Sequence, residues 1–187
     1  MDAEQIALLL VIVAAAVGIY FFFGSFALGA GYQPTPRRVV DRMLTSAGVG
    51  PRDTVFDLGA GTGAIVFAAA RRYGASVVGV EAEPFRVLVL RLRRRFGGPR
   101  DRVEIRRMNI FAVDLRPATV VAVFLWPGAM ARLQPLFEEQ LRPGSRVVSH
   151  WHRVPGWEVE LFDVATQVYL YRWPEAQRSQ RPATGGR

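Results

Sequence analysis

The chain has 187 residues, half of them hydrophobic, and a formal net charge of +8; that length suits one domain with an added segment, and the apolar share is enough for a real core. It has no cysteine, which excludes disulfides, thiolate metal sites and thiol catalysis, and its two histidines, His150 and His152, cannot hold a metal by themselves. All 24 basic residues are arginine, a balance that suits nucleic acid, anionic lipid or an acidic partner.

The N-terminus is the clearest segment. From Ile6 to Ala30, "IALLLVIVAAAVGIYFFFGSFALGA" carries no charge and exceeds the roughly 20 residues a bilayer span needs. Asp2 and Glu4 precede it in place of a basic region, which argues against a cleaved signal peptide. The expectation is one transmembrane anchor over residues 1–30 in the lipid bilayer. Arg37, Arg38 and Arg42 follow it, which places the remaining chain on the cytoplasmic side. Residues 31–36, "GYQPTP", form a linker and loop, 37–174 a domain, and 175–187 a polar, disordered tail.

In chain order, Thr35 reads as an N-cap with Pro36 at the first helical position. A helix follows over 37–47, burying Val39, Val40, Met43 and Leu44. Thr54–Leu58 is a short apolar strand, Ala64–Tyr73 a helix, "SVVGVEAE" a second strand and Pro84–Phe96 a second helix. "RVEIRRMN" and "TVVAVFLWP" read as strands three and four, Met130–Leu141 as a helix, and "SRVVSH" as strand five. "WEVELFDV" and "TQVYLYRW" alternate with period two, as a terminal hairpin-like pair does. Strands alternating with helices predict an α/β fold with a doubly wound, mostly parallel sheet. Ligands of such sheets sit outside the carboxyl ends of the strands.

Strand one ends in "DLGAGTG", with Asp57 followed by Gly59, Gly61 and Gly63. "GAGTGA" also satisfies the dinucleotide pattern, which alone is a weak signal. A carboxylate at Asp57 would repel a pyrophosphate and attract a positive group. S-adenosylmethionine carries both an ammonium and a sulfonium, so it is the cofactor this turn favours. Strand two ends at Glu81, placed to accept hydrogen bonds from ribose hydroxyls; the alternative is a solvated acid near a helix start, which fits Glu83 better. Strand three ends in "MNIF". The Asn109 amide can pair with an adenine edge while Ile110 or Phe111 covers the ring, although asparagine at such a place also simply caps a turn.

"DLGAGTGAIVFAAARRYGASVVGVEAEP" resembles the first motifs of the seven-strand S-adenosylmethionine-dependent methyltransferases, which have a Rossmann-like seven-stranded sheet. With "GYQPTPRRVVDRML", "LWP" and "LRPGSRVVSH" followed by "GW", the chain resembles the small protein-lysine methyltransferases among them. These include the archaeal broad-specificity enzyme and membrane-anchored mitochondrial enzymes that act on the ATP synthase c-subunit and the adenine nucleotide translocase. The sequence departs from that family at Thr62, where an acid is usual, at Ala64, where arginine is usual, and at Asn109 and Phe124. The resemblance implies a lysine slot bordered by Tyr32, Thr35, Phe124, Leu125, Trp126 and Pro127, and the expected anchor with its short linker points to a lysine on a membrane or membrane-associated protein as the substrate. His150 reads as structural, and no general base is required.

Leu125 offers no polar side chain, unlike the polar residue with which base-methylating enzymes begin this motif, and no aromatics interleave with the arginines, so no nucleic-acid partner is expected. Arg86, Arg91, Arg93, Arg94 and Arg95 read as a solvated helix face, with Leu88, Leu92 and Phe96 turned inward, that also rests on anionic lipid. Competing functions are a catalytically degenerate cofactor-binding module, motivated by Thr62 and Ala64, and a lipid or quinone methyltransferase. A nicotinamide reductase is disfavoured by Asp57 and by the absence of lysine for a Tyr/Lys pair.

Overall fold

A computed structural model describes residues 2–27, 33–97 and 99–173, with side chains described throughout except at 16–17 and 19–27. The chain divides into two compact units, Met1–Pro34 and Thr35–Arg187. The expected tail falls outside the described residues.

The first unit holds α1, Ala3–Ala27. Among the described residues no helix is long and apolar enough to cross a membrane. This overturns the expected transmembrane anchor, and with it the single-pass membrane placement with a cytoplasmic domain.

The second unit is a seven-stranded sheet in the order β3-β2-β1-β4-β5-β7-β6. Its strands are β1 (Thr54–Leu58), β2 (Ser76–Glu81), β3 (Val103–Arg107), β4 (Val120–Val123), β5 (Arg146–His150), β6 (Leu161–Asp163) and β7 (Val168–Arg172). The first five are parallel. β7 runs antiparallel between β5 and β6, so the expected terminal pair is present, with a shorter first strand. The helices are α2 (Arg37–Ser46), α3 (Ala64–Arg72), α4 (Pro84–Gly97) and α5 (Pro127–Gln140).

Alternation along the strands separates two cores. Val55, Val77 and Val148 point to the face covered by α2, α3 and Leu90 of α4. Phe56, Leu58, Val78 and Val80 point to the face covered by Met130, Leu133 and Phe137 of α5. Burial of both faces is what a parallel sheet requires, and it explains the unbroken apolar character of β4. α2 buries Val39, Val40, Met43 and Leu44 as expected.

Three local expectations are corrected. Pro36 rather than Thr35 is the N-cap of α2 and no side chain caps it; its carbonyl accepts from the Val39 and Val40 N–H groups. α5 starts at Pro127, three residues before Met130, because proline at N1 has the helical φ already and lacks only an N–H that would be unpaired there. α4 is rotated relative to the expected face. Val87, Leu90 and Arg86 are buried, whereas Leu88, Leu92 and Phe96 are 50%, 47% and 80% exposed. Glu83 sets this register: it is buried, and its carboxylate accepts from the Phe85 and Arg86 N–H groups at 3.0 and 2.7 Å, starting the helix with Val87 and Leu90 toward the sheet.

This register predicts opposite outcomes for neighbouring leucines. Leu90→Ala should cost about 2–5 kcal/mol in urea unfolding, the range for a buried leucine. Leu92→Gln should stay within about 0.5 kcal/mol of the parent, as exposed substitutions do. A larger loss for Leu92→Gln would show that its side chain packs inward.

Candidate active site

The carboxyl ends of β1, β2 and β4 meet at the place where the strand order reverses, with β2 on one side of β1 and β4 on the other. Doubly wound sheets bind ligands at such a switch point. Three glycines shape it. Gly59, Gly61 and Gly63 have φ values of +82°, +55° and +88°, a region that side chains strongly disfavour. Space is short as well. A Cβ at Gly63 would lie 2.6 Å from Leu90 Cδ2 and from Phe67 Cε2, and one at Gly59 would lie 3.2 Å from Leu125 Cδ2.

The loop is strapped to β2. The Gly59 and Ala60 N–H groups both donate to the Val80 carbonyl at 2.9 Å. Glu81, 6% exposed, accepts from Gly61 N–H at Oε2 (2.8 Å) and from the Ala82 and Glu83 N–H groups at Oε1 (2.9 Å each). A carboxylate has about four acceptor sites, so Oε2 retains capacity for a ligand hydroxyl. Arg93 of α4 closes the other side: its guanidinium donates to the Thr62 carbonyl and lies 4.6 Å from the Phe67 ring centroid. This arginine was read only as part of a basic helix face, and nothing in its spacing distinguishes it from Arg94 or Arg95.

Asp57 is 3% exposed and accepts a hydrogen bond from the Val66 N–H. Burial first, and then the charge of Glu81, push its carboxyl from 3.8 up to about 7. Two buried carboxylates facing one turn make an environment that a cation would relieve.

At the end of β3, the Met108 N–H donates to the Glu81 carbonyl at 3.1 Å, joining the two strand ends. The exposed Asn109 caps a short 3-10 turn over Ile110–Ala112, its Oδ1 accepting from Phe111 N–H at 3.0 Å. Ile110 is half-buried against the α5-side core. Thus Asp57, Gly59, Gly61, Gly63, Glu81, Asn109 and Ile110 gather along β1, β2 and β3. After β4, Leu125 is buried against the Gly59 turn, while Trp126 and Pro127 are exposed at the start of α5. Thr35 is half-buried before α2, and Tyr32 lies outside the described residues. Among the described residues no group of His, Asp and Glu side chains could hold a metal ion.

Beyond a structural His150, the turn after β5 was not expected at the site. His150 is buried with its ring centroid 4.4 Å from that of Phe124. Trp126 and His152 stack at 5.8 Å, and Trp151 lies 6.1 Å from Phe124. The run "HWH" at the end of strand five was the available signal.

A cramped glycine turn, a buried acid before it and an acid ending the next strand, on this seven-stranded sheet, define an S-adenosylmethionine-dependent methyltransferase. Comparison with known proteins agrees: residues 57–161 match the family model described as the ANTKMT methyltransferase domain, and the chain belongs to that family. It is 40% identical over 147 residues to a protein-lysine N-methyltransferase of Saccharolobus islandicus, covering 75% of this chain and 91% of that one. It is 32% identical over 127 residues to the mouse adenine nucleotide translocase lysine N-methyltransferase, covering 68% of this chain and 55% of that one. Among solved structures, an RNA methyltransferase from Salinibacter ruber in complex with S-adenosyl-L-homocysteine is similar at 39% identity and a TM-score of 0.75, over 83% of this chain and all of that one.

The Glu81 bonds make a measurable demand on folding. Glu81→Ala leaves three backbone N–H groups without their acceptor and should lower unfolding free energy by about 3 kcal/mol, the scale of lost charged hydrogen bonds. Glu81→Gln keeps one acceptor oxygen and should lose less. Equal stability of Glu81→Ala and the parent in urea would mean that the loop is held by other bonds.

Proposed function

We propose that the chain transfers a methyl group from S-adenosylmethionine to lysine side chains of another protein. The observation that carries this reading is the apolar end of β4: Leu125 is buried against the Gly59 turn, and the exposed ring of Trp126 follows it. A lysine must be neutral to act as a nucleophile, and its free pKa is about 10.4. An apolar wall disfavours the ammonium and so favours the reactive amine. Leu125 also lacks the polar side chain that an amide-like base nitrogen would need. The archaeal and mouse relatives, named as lysine methyltransferases, support the same reading. The chain has no lysine of its own, so lysine label has to sit on another protein. The expectation of a membrane-associated acceptor keeps only the support of the mouse relative's name.

Within this reading Asp57 faces the cofactor's ammonium, Glu81 accepts from its ribose, and Asn109 and Ile110 border its adenine. The glycines leave the room that side chains would fill. The cofactor supplies an electrophilic methyl on a sulfonium. The chain positions the acceptor amine in line with that methyl, and such positioning supplies much of the rate. Leu125, Trp126 and Pro127 border the slot, joined by Thr35 from the segment before α2.

The test is transfer of labelled methyl to an extract of the source cells, separated into protein, lipid, quinone and RNA fractions. Label on protein lysine is the expected result. Label confined to lipid, quinone or RNA would replace this reading with the corresponding acceptor, and cofactor binding without any transfer would mark a degenerate binding module.

Asp57 gives a second, pH-dependent test. A cation beside it favours the carboxylate, so binding drives off the proton held at lower pH. Cofactor affinity should rise by up to about tenfold per pH unit below the carboxyl's value of about 7, because the proton competes with the cation. It should level off above that value. Calorimetry in buffers of different ionisation enthalpy should show proton release below the plateau, and Asp57→Asn should flatten the profile. The same raised value makes the Asp57 contribution to stability largest below the unfolded value of 3.8, and lost as pH rises through about 7. An unchanged affinity profile in Asp57→Asn would remove Asp57 from the ammonium site.

A further inference from the structure

β5 ends in a turn with an unusual backbone. The His152 N–H donates to the His150 carbonyl at 2.9 Å, closing a three-residue ring around Trp151, whose φ is +68°. Closure between residues two apart around a positive φ is the mark of the rarer, strained γ-turn, and a bulky aromatic residue at such a φ is an outlier. Two further bonds hold it. The Trp151 N–H donates to the Gln167 carbonyl at 2.8 Å, and the Ser149 hydroxyl donates to the His152 carbonyl. Outliers of this kind persist where surrounding structure enforces them, often at ligand sites.

The turn joins aromatic rings across the ends of β4 and β5. Phe124 lies 6.1 Å from Trp151, Trp151 lies 6.4 Å from His152, and His152 stacks on Trp126 at 5.8 Å with an interplanar angle of 28°. Trp126 and Trp151 are 51% and 49% exposed, so these rings are not simply core. Leu125, between Phe124 and Trp126, packs on the Gly59 turn. The guanidinium of Arg153, the nearest cation in sequence, lies over the Tyr169 ring instead, 5.3 Å from its centroid.

We propose that Trp126, Trp151 and His152 form an aromatic mouth that binds the acceptor as an ammonium or methylammonium group, with Trp151 as a specificity-determining residue. This deepens the lysine reading and rests on it. Indole faces attract cations through the ring quadrupole, so the mouth draws a lysine out of water before Leu125 meets the neutral amine. A methylated lysine keeps its charge, so the mouth also retains the product for further rounds. Selection by charge matters here because a chain of net charge +8 otherwise repels lysine-rich segments.

Trp151→Gly is the informative variant, because glycine adopts the positive φ without strain and removes only the ring. Trp151→Phe keeps an aromatic face. Nα-acetyl-trimethyllysine amide and its neutral isostere, with a tert-butyl group in place of the trimethylammonium, are titrated by NMR against the full chain with S-adenosyl-L-homocysteine present. The cation should bind about 3- to 10-fold more tightly than the isostere in the parent, with the preference lost in Trp151→Gly and kept in Trp151→Phe. Equal binding of the two probes, no binding of the cation, or a preference that survives Trp151→Gly would overturn the proposal. On a protein acceptor, Trp151→Gly should raise KM by a similar factor while the cofactor Kd holds; an unchanged KM would also overturn it. A charge preference in a parent that labels no lysine would instead remove the lysine reading and leave the cation site standing.

Discussion

The Glu81 carboxylate holds the cofactor side of this protein together. It is buried at the end of β2 and accepts N–H groups from the glycine turn, from Ala82 and from Glu83. Through Gly61 it fixes the turn that follows β1; through Glu83 it fixes the start of α4, and so the register that buries Leu90 behind Gly63. The strand ends therefore form one bonded unit. Its electrostatic cost is visible at Asp57, whose carboxyl is raised to about 7 by burial and by Glu81. A turn that concentrates buried carboxylates is matched to a cationic ligand, and this supports the proposal that S-adenosylmethionine binds here.

The sheet divides the work by strand. β1, β2 and β3 carry the residues assigned to the cofactor, while β4 and β5 carry the apolar and aromatic residues proposed to meet the acceptor. The boundary is the switch point between β1 and β4, where Leu125 touches the glycine turn. Relatives named for lysine and for RNA share this scaffold, which fits a division in which the cofactor half is common and the acceptor half sets specificity.

The errors in reading the sequence share a cause. α4 contains enough leucine and arginine that more than one stripe looks like an inner face. Leu88, Leu92 and Phe96 follow helical spacing as well as Val87 and Leu90 do, and only the cap at Glu83 decides between them. The aromatic cluster was missed because it joins residues about 25 positions apart, each unremarkable alone. Arg93 was hidden among its neighbours because its partner, the Thr62 carbonyl, is a backbone atom that leaves no trace in side-chain pattern. The long apolar N-terminus argued for a membrane span, whereas no helix among the described residues is long and apolar enough to cross one.

What the sequence determined by itself was local. Glycines at 59, 61 and 63 announce a backbone that side chains cannot follow, apolar runs between helical segments announce a parallel sheet, and the strand-end acids raise two expectations, a positive group beside Asp57 and ribose hydroxyls beside Glu81. These follow from steric limits and periodicity within a few residues. Tertiary structure alone decided the rest: the face that α4 buries, the hold of Arg93 on the glycine turn, the raised carboxyl of Asp57, and the meeting of Trp126 with His152. Each depends on burial or on contact between distant segments, and neither quantity exists until the sheet has brought its strand ends side by side.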